Sequence, residues 1–249
     1  MITDIYDEMK DGFDALPVPE RALAIGAHPD DIEFGAGGTL ARWASAGCRV
    51  TMLILTDGSK GTWDPGIDPQ FLIAIRKDEQ RKAADTLGAA HTIHLDLVDG
   101  ELGYSMALRA VMCRQIRLAR PDIVITHDPW QRYQLHPDHR VTGMAVVDGV
   151  VAARDHLFYP EQGLNAHRPE SILLWRADEP DHWEDIEATI ETKVAALLCH
   201  TSQGTTTMGG AEQDDLRRQA FADRIRQWAT EAGEPVGLAQ AEAFKRLRP

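Results

Sequence analysis

The sequence predicts an α/β fold, a Rossmann-like and mostly parallel sheet with helices on both faces. Three observations carry it. Short apolar runs alternate with helix-length segments through most of the 249 residues. Several of those runs are almost wholly apolar, as strands buried on both faces are. Glycines close two of the helical segments just before the next run begins. Strands alternating with helices of this length argue for a parallel, doubly wound sheet.

The elements follow in order. "RALAIGA" (21–27) is an apolar run bounded by charge and reads as the first strand. A turn of Gly35, Gly37 and Gly38 leads into "GGTLARWASAG" (37–47), a helix closed by Gly47. "RVTMLILTDG" (49–58) is the second strand, and "IAIRKDEQRKAADTLG" (73–88) a helix ended by Gly88. "HTIHLDL" (91–97), "PDIVITH" (121–127) and "ESILLW" (170–175) continue the strands. Between them lie the helices "MALRAVMCRQIRLAR" (106–120) and "HPDHRVTGMAVVDGVVAAR" (136–154). Further on, Ile186, Ile190, Val194, Leu197 and Leu198 form a helical stripe, followed by a polar loop at 201–210 and a charged helix over 211–232. No repeat or long linker interrupts the chain. One domain over 1–249 is expected, with a helical C-terminal part from about 184.

Composition narrows the function classes. A net charge of −13 repels phosphate backbones and anionic membrane surfaces, so no nucleic-acid partner is expected. No stretch approaches the roughly 20 apolar residues of a membrane span, so no membrane insertion is expected. The opening "MITDIYDEMKDGFDALP" lacks the apolar core of a signal peptide. Cys48, Cys113 and Cys199 form no CxxC pair, which fits a reducing compartment. The expected location is the cytoplasm; self-association into a homo-oligomer is left open.

Chemistry concentrates in two segments. In "AHPDDIEFGAGG" (27–38), His28 follows the first strand, where open α/β sheets bind ligands. Pro29 fixes the backbone and aims Asp30 and Asp31. "LHPDH" (135–139) repeats the theme, with Pro137 starting a helix, His136 before it and His139 one turn inside. Both segments sit at strand-to-helix junctions on one edge of the sheet. Two histidines with one carboxylate give a divalent ion three protein ligands and leave a position open for water. The glycines lack GxGxxG spacing, so no nucleotide cofactor is implied.

These two motifs resemble the PIG-L/LmbE family of metal-dependent N-deacetylases, which act on N-acetylglucosaminyl lipids and conjugates. "TDGSKG" (56–61), "RKDEQRKAADTLG" (76–88), "DGEL" (99–102), "PDIVITHDP" (121–129) and "HTSQ" (200–203) extend the likeness over most of 20–205. The resemblance implies an amidohydrolase acting on a linear amide of a small amino-sugar conjugate. It implies one metal ion on His28, Asp31 and His139, with zinc expected and ferrous iron the alternative. It also implies Asp30 as general base and His136 as stabiliser of the oxyanion. Arg76 resembles a residue near the sugar, and Asp99 one that contacts substrate or orients a catalytic group.

Simpler readings exist for each. Asp30 or Asp31 can cap a helix, Asp138 suits a helix N-terminus and is read as supporting and not as a ligand, and Asp99 can be a turn residue before Gly100. Arg76 can be a surface arginine paired with Glu79 or Gln80. His127 and Asp128 are left outside the catalytic set, and His200 is expected to face the cleft. His91, His94, His156, His167 and His182 read as ordinary surface or partly buried histidines. Two rival functions remain: an amidase for a bulkier thiol or antibiotic conjugate, with the 62–72 loop selecting it, or a non-catalytic metal- or sugar-binding protein.

Overall fold

The structure, a computed structural model, describes residues 15–249. Most of the opening segment screened for a signal peptide lies outside the described residues. The strands are β1 (Arg21–Gly26), β2 (Arg49–Thr56), β3 (His91–Leu97), β4 (Ile123–His127), β5 (Ser171–Trp175), β6 (His182–Asp185) and β7 (Ala241–Leu247). The α-helices are α1 (Asp31–Ser45), α2 (Pro69–Leu87), α3 (Met106–Ala119), α4 (Pro137–Arg154), α5 (Ile190–Leu197) and α6 (Asp215–Gly233). One sheet holds all seven strands in the order β3-β2-β1-β4-β5-β7-β6. The first five are parallel, and β7 runs antiparallel to both β5 and β6.

Side-chain alternation along the strands builds two cores. Ala22, Ala24, Met52, Ile54 and Ile125 pack with Ile32 and Leu40 of α1 and with Ala83 and Leu87 of α2. Leu23, Ile25, Leu53, Val124 and Leu174 face the other way, against α3 and α4 through Met112, Ile116, Val146 and Val150. Helices therefore cover both faces. A third cluster joins α5 to α6 through Val194, Leu197, Phe221 and Ile225. Capping fixes the helix ends: Asp68 accepts from Gln70 N at 2.9 Å, and Gly88 closes α2 at φ 77°.

Two expectations are corrected. The tail beyond 184 is not simply helical, because it also supplies the end of β6 and all of β7. Ile186 is core-facing but precedes α5 instead of belonging to it. Second, α1 begins at Asp31, so Gly35, Gly37 and Gly38 lie inside the helix and form no turn. They are there for close approach. A Cβ at Gly35 would overlap the Trp175 indole, and one at Gly38 would come 2.8 Å from Ile186 Cβ.

The bare backbone of α1 also admits outside polar groups. Glu242 on β7 accepts from Gly38 N at 3.0 Å and Thr39 N at 2.8 Å. Lys193 on α5 donates to Phe34 O at 2.8 Å and pairs with Glu242 at 2.6 Å. Gly35→Ala gains up to about 1 kcal/mol of helix propensity but overpacks the core by about 1–3 kcal/mol. The expected result is a net loss of stability, read as a lower denaturant midpoint with unchanged slope.

Candidate active site

Strand order reverses at β1: β2 and β3 lie on one side, and β4 and β5 on the other. The helices that follow β1 and β4 leave to opposite faces, which opens a crevice between the carboxyl ends of those two strands. "HPDD" enters it from β1, His127 ends β4, and "HPDH" opens α4. The two motifs, separated by about a hundred residues of chain, meet because β1 and β4 are hydrogen-bonded neighbours.

Four histidines and four carboxylates gather there. Asp31 is central: its Oδ1 lies 3.2 Å from His139 Nε2, and its Oδ2 lies 3.2 Å from both His28 Nδ1 and His127 Nε2. His28 Nε2 sits between Asp99 Oδ1 at 3.1 Å and Asp138 Oδ2 at 3.2 Å. The His136 and His139 rings stack with centroids 4.7 Å apart, and His28 meets His136 edge-on at 4.5 Å. Asp138 is fully buried and accepts from Gly100 N and Leu102 N at 2.7 and 3.2 Å. His136 caps α4, its Nδ1 accepting from Asp138 N at 3.3 Å, which leaves its ring proton on Nε2.

Asp30 is set apart. Its backbone adopts a left-handed conformation, φ 93°, which directs its side chain away from that of its neighbour. Its amide donates to Gln80 Oε1 at 3.1 Å, and Gln80 Nε2 donates to Glu33 Oε1 at 2.5 Å. Arg76 is buried, donating to Pro29 O at 2.7 Å and Gly58 O at 3.0 Å, with Asp30 Oδ2 at 3.7 Å. It thus clamps the backbone around Asp30 and is no surface arginine. Glu79 ties down the "HTSQ" segment instead, accepting from Thr201 Oγ1, Ser202 N and Ser202 Oγ.

The two neighbouring acids differ electrically. Burial lifts Asp30 to about 6, against the pull of Arg76. Burial acts the same way on Asp31, but His139 and His127 outweigh it and hold that carboxyl well below the usual range. Burial opposes charge on His28 as well, yet hydrogen bonds to Asp138, Asp31 and Asp99 raise it well above an ordinary histidine. Burial pushes His127 down to about 4, keeping it neutral.

The crowd of anionic oxygens and imidazole nitrogens fits a divalent cation. Donors on one tetrahedral ion with bonds of about 2.1 Å lie roughly 3.4 Å apart, and the His139–Asp31 separation is 3.2 Å. Among the described residues, three groups bring a donor atom from each member within 4.8 Å: His28, His136 and His139; Asp31, His127 and His139; His28, Asp99 and Asp138. Nδ1 of His139 is buried without a partner, as is Oδ2 of Asp30.

All seven residues singled out from the sequence converge on this crevice: His28, Asp30, Asp31, Arg76, Asp99, His136 and His139. Two that were undervalued are His127, which touches Asp31, and Asp138, which touches His28. His127 carried one legible signal, its place at the end of a strand beside a motif strand. His200 is fully buried, its Nε2 3.6 Å from Glu33 Oε1. His182 is buried too, paired with Glu184 at 2.6 Å.

Comparison with known proteins gives the chain a family. The family model described as PIG-L, GlcNAc-PI de-N-acetylase, matches residues 23–150. A diacetylchitobiose deacetylase of Thermococcus kodakarensis is 35% identical over 187 residues, 74% of this chain and 70% of its own length. A 1D-myo-inositol 2-acetamido-2-deoxy-alpha-D-glucopyranoside deacetylase of Rhodococcus erythropolis is 27% identical, over 78% of this chain and 84% of its own. The N,N'-diacetylchitobiose deacetylase of Pyrococcus horikoshii, solved with its inhibitor MPG, superposes with a TM-score of 0.85 at 29% identity, covering 100% of this chain and 93% of that one. No helix among the described residues is long and apolar enough to cross a membrane.

Proposed function

This chain belongs to the PIG-L family of GlcNAc-PI de-N-acetylases, and from that membership we propose that it is a metal-dependent N-deacetylase removing an acetyl group from an amino-sugar conjugate. The observation that carries the reading is the divergence of two adjacent acids, Asp31 among the histidines and Asp30 beside Arg76 with no hydrogen bond to its Oδ2. His28, Asp31 and His139 would hold the ion. When bound there, zinc or ferrous iron would polarise the acyl carbonyl and acidify water.

The rest is the work of side chains. Asp30 removes a proton from the attacking water and returns it to the departing nitrogen. One C–O bond forms, the C–N bond breaks, and acetate and a primary amine leave. His136 donates its Nε2 proton as a hydrogen bond to the oxyanion of the tetrahedral intermediate. Asp138 holds the cap geometry of His136 through its own backbone N–H and braces His28 with its carboxylate. Arg76 positions Asp30, and Asp99 orients His28.

Exposed aromatic residues suit a sugar substrate. Trp63 lies in the loop after β2 and Trp130 and Tyr133 in the loop after β4, at the same edge of the sheet as the crevice. Such rings offer flat apolar faces to a pyranose. The loop expected over 62–72 ends at Asp68, because α2 begins at Pro69; its 62–68 part supports the second reading, an amidase for a bulkier conjugate. Zinc-loaded protein incubated with N-acetylglucosaminyl compounds is expected to release primary amine, faster from small conjugates than from bulky thiol or antibiotic ones. The reverse preference would favour the second reading, and no release from any acylated amine would sink both.

A further inference from the structure

We propose that Trp175 and His127 are a positioning pair for Asp31: the indole N–H fixes one tautomer of His127, and the resulting Nε2–H holds Asp31 Oδ2, leaving Oδ1 for the ion. The role rests on the reading that Asp31 is a metal ligand.

The indole nitrogen can only donate. It lies 3.1 Å from His127 Nδ1, so Nδ1 must accept. A neutral imidazole then carries its proton on Nε2, which is 3.2 Å from Asp31 Oδ2. Turning the ring over would set carbons opposite both partners and lose both contacts, so the orientation is determined by the network. Ala27 N–H also points at Nε2, at 3.3 Å. A protonated Nε2 cannot accept it, and the anionic carboxylate is the stronger partner for that nitrogen.

The surroundings enforce the arrangement. His127 and Trp175 are the last residues of β4 and β5 and are paired in register. They are 3% and 2% exposed, so water cannot replace either contact. The missing Cβ of Gly35 makes room for the indole. Asp31 Oδ2 also accepts from His28 N at 2.7 Å and lies 3.2 Å from His28 Nδ1, so this oxygen is held by His127 and by the start of the motif, while Oδ1 lies 3.2 Å from His139 Nε2. A His127 with both nitrogens engaged has no lone pair to offer an ion, which separates this role from that of a fourth ligand.

The test reads the proton and the ion separately. Nitrogen-15 NMR of metal-free protein labelled at histidine, with His127 assigned by its loss in His127→Gln, is expected to show a bare Nδ1 and a protonated Nε2. In Trp175→Phe that single tautomer is expected to give way to a mixture. Zinc affinity, measured by competition with a chromophoric chelator, is expected to fall about 10–100-fold in Trp175→Phe. His127→Gln, whose carboxamide can still donate to Asp31, should bind zinc more tightly than His127→Ala. A protonated Nδ1 in the wild type overturns the proposal even if the Phe variant fails to fold. So does a folded Trp175→Phe that binds zinc as tightly as the wild type. Wild-type protein that binds no zinc overturns the metal reading itself, and this role with it. None of these measurements depends on turnover.

Discussion

Asp30→Asn is expected to lower amine release by about 10²–10⁴-fold while zinc content stays near that of the wild type. Asparagine is the informative replacement because residue 30 has φ 93°, a conformation that asparagine tolerates and alanine resists. The amide keeps the shape of the carboxylate and removes its capacity to take a proton. Its backbone N–H still meets Gln80, so the loop geometry is retained. Metal analysis and the rate must be measured on the same preparation. Loss of zinc in Asp30→Asn would overturn the division of roles between the two acids.

Asp31→Ala is expected to do the opposite: zinc content falls below one per several chains, and turnover falls to the level of chelator-treated wild type. Among the described residues, this carboxylate is the one near hydrogen-bond distance of His28, His127 and His139 at once. Its removal leaves three imidazoles without the anion that draws them together and partly neutralises a bound cation. Restoring activity by added zinc at concentrations far above those the wild type needs would agree with weakened binding. Full zinc occupancy with normal turnover would show that the ligand set lies elsewhere in the cluster.

Much of this was legible in the sequence because two periodicities and two motifs are strong. Strands β1, β2, β4 and β5 are buried runs, and the helices between them have clear apolar faces. The strands β6, "HWED", and β7, "AEAFKRL", were hidden by their charge. A strand whose acids are satisfied by a neighbouring helix, as Glu242 is by α1, does not look like a buried strand. The start of α1 was misplaced because glycine ordinarily weakens a helix, and nothing local shows that Trp175 and Ile186 will press on it.

The site followed the same division. His28, Asp30, Asp31, His136 and His139 stand in two compact motifs. His127 depends on strand order: it reaches Asp31 only because β4 lies beside β1, a fact of topology that no local pattern encodes. Arg76 stands in a short motif that marks it as a residue near a sugar, but its burial and its bonds to Pro29 O and Gly58 O come from the packing of α2.

The place of β7 has a consequence for the making of the molecule. This strand lies between β5 and β6 although it is synthesised after both. At about 5–20 residues per second, the ribosome needs roughly 3–11 s to pass from the end of β6 to the start of β7. Throughout that interval β5 presents an open edge and β6 has no strand to pair with, the condition in which nascent sheets recruit wrong partners. The same late arrival brings Glu242 to the middle of the helix that begins at Asp31. The brace on α1 therefore waits on the last strand of the sheet, and a chain halted before residue 241 would hold both motifs but lack the Glu242 contact.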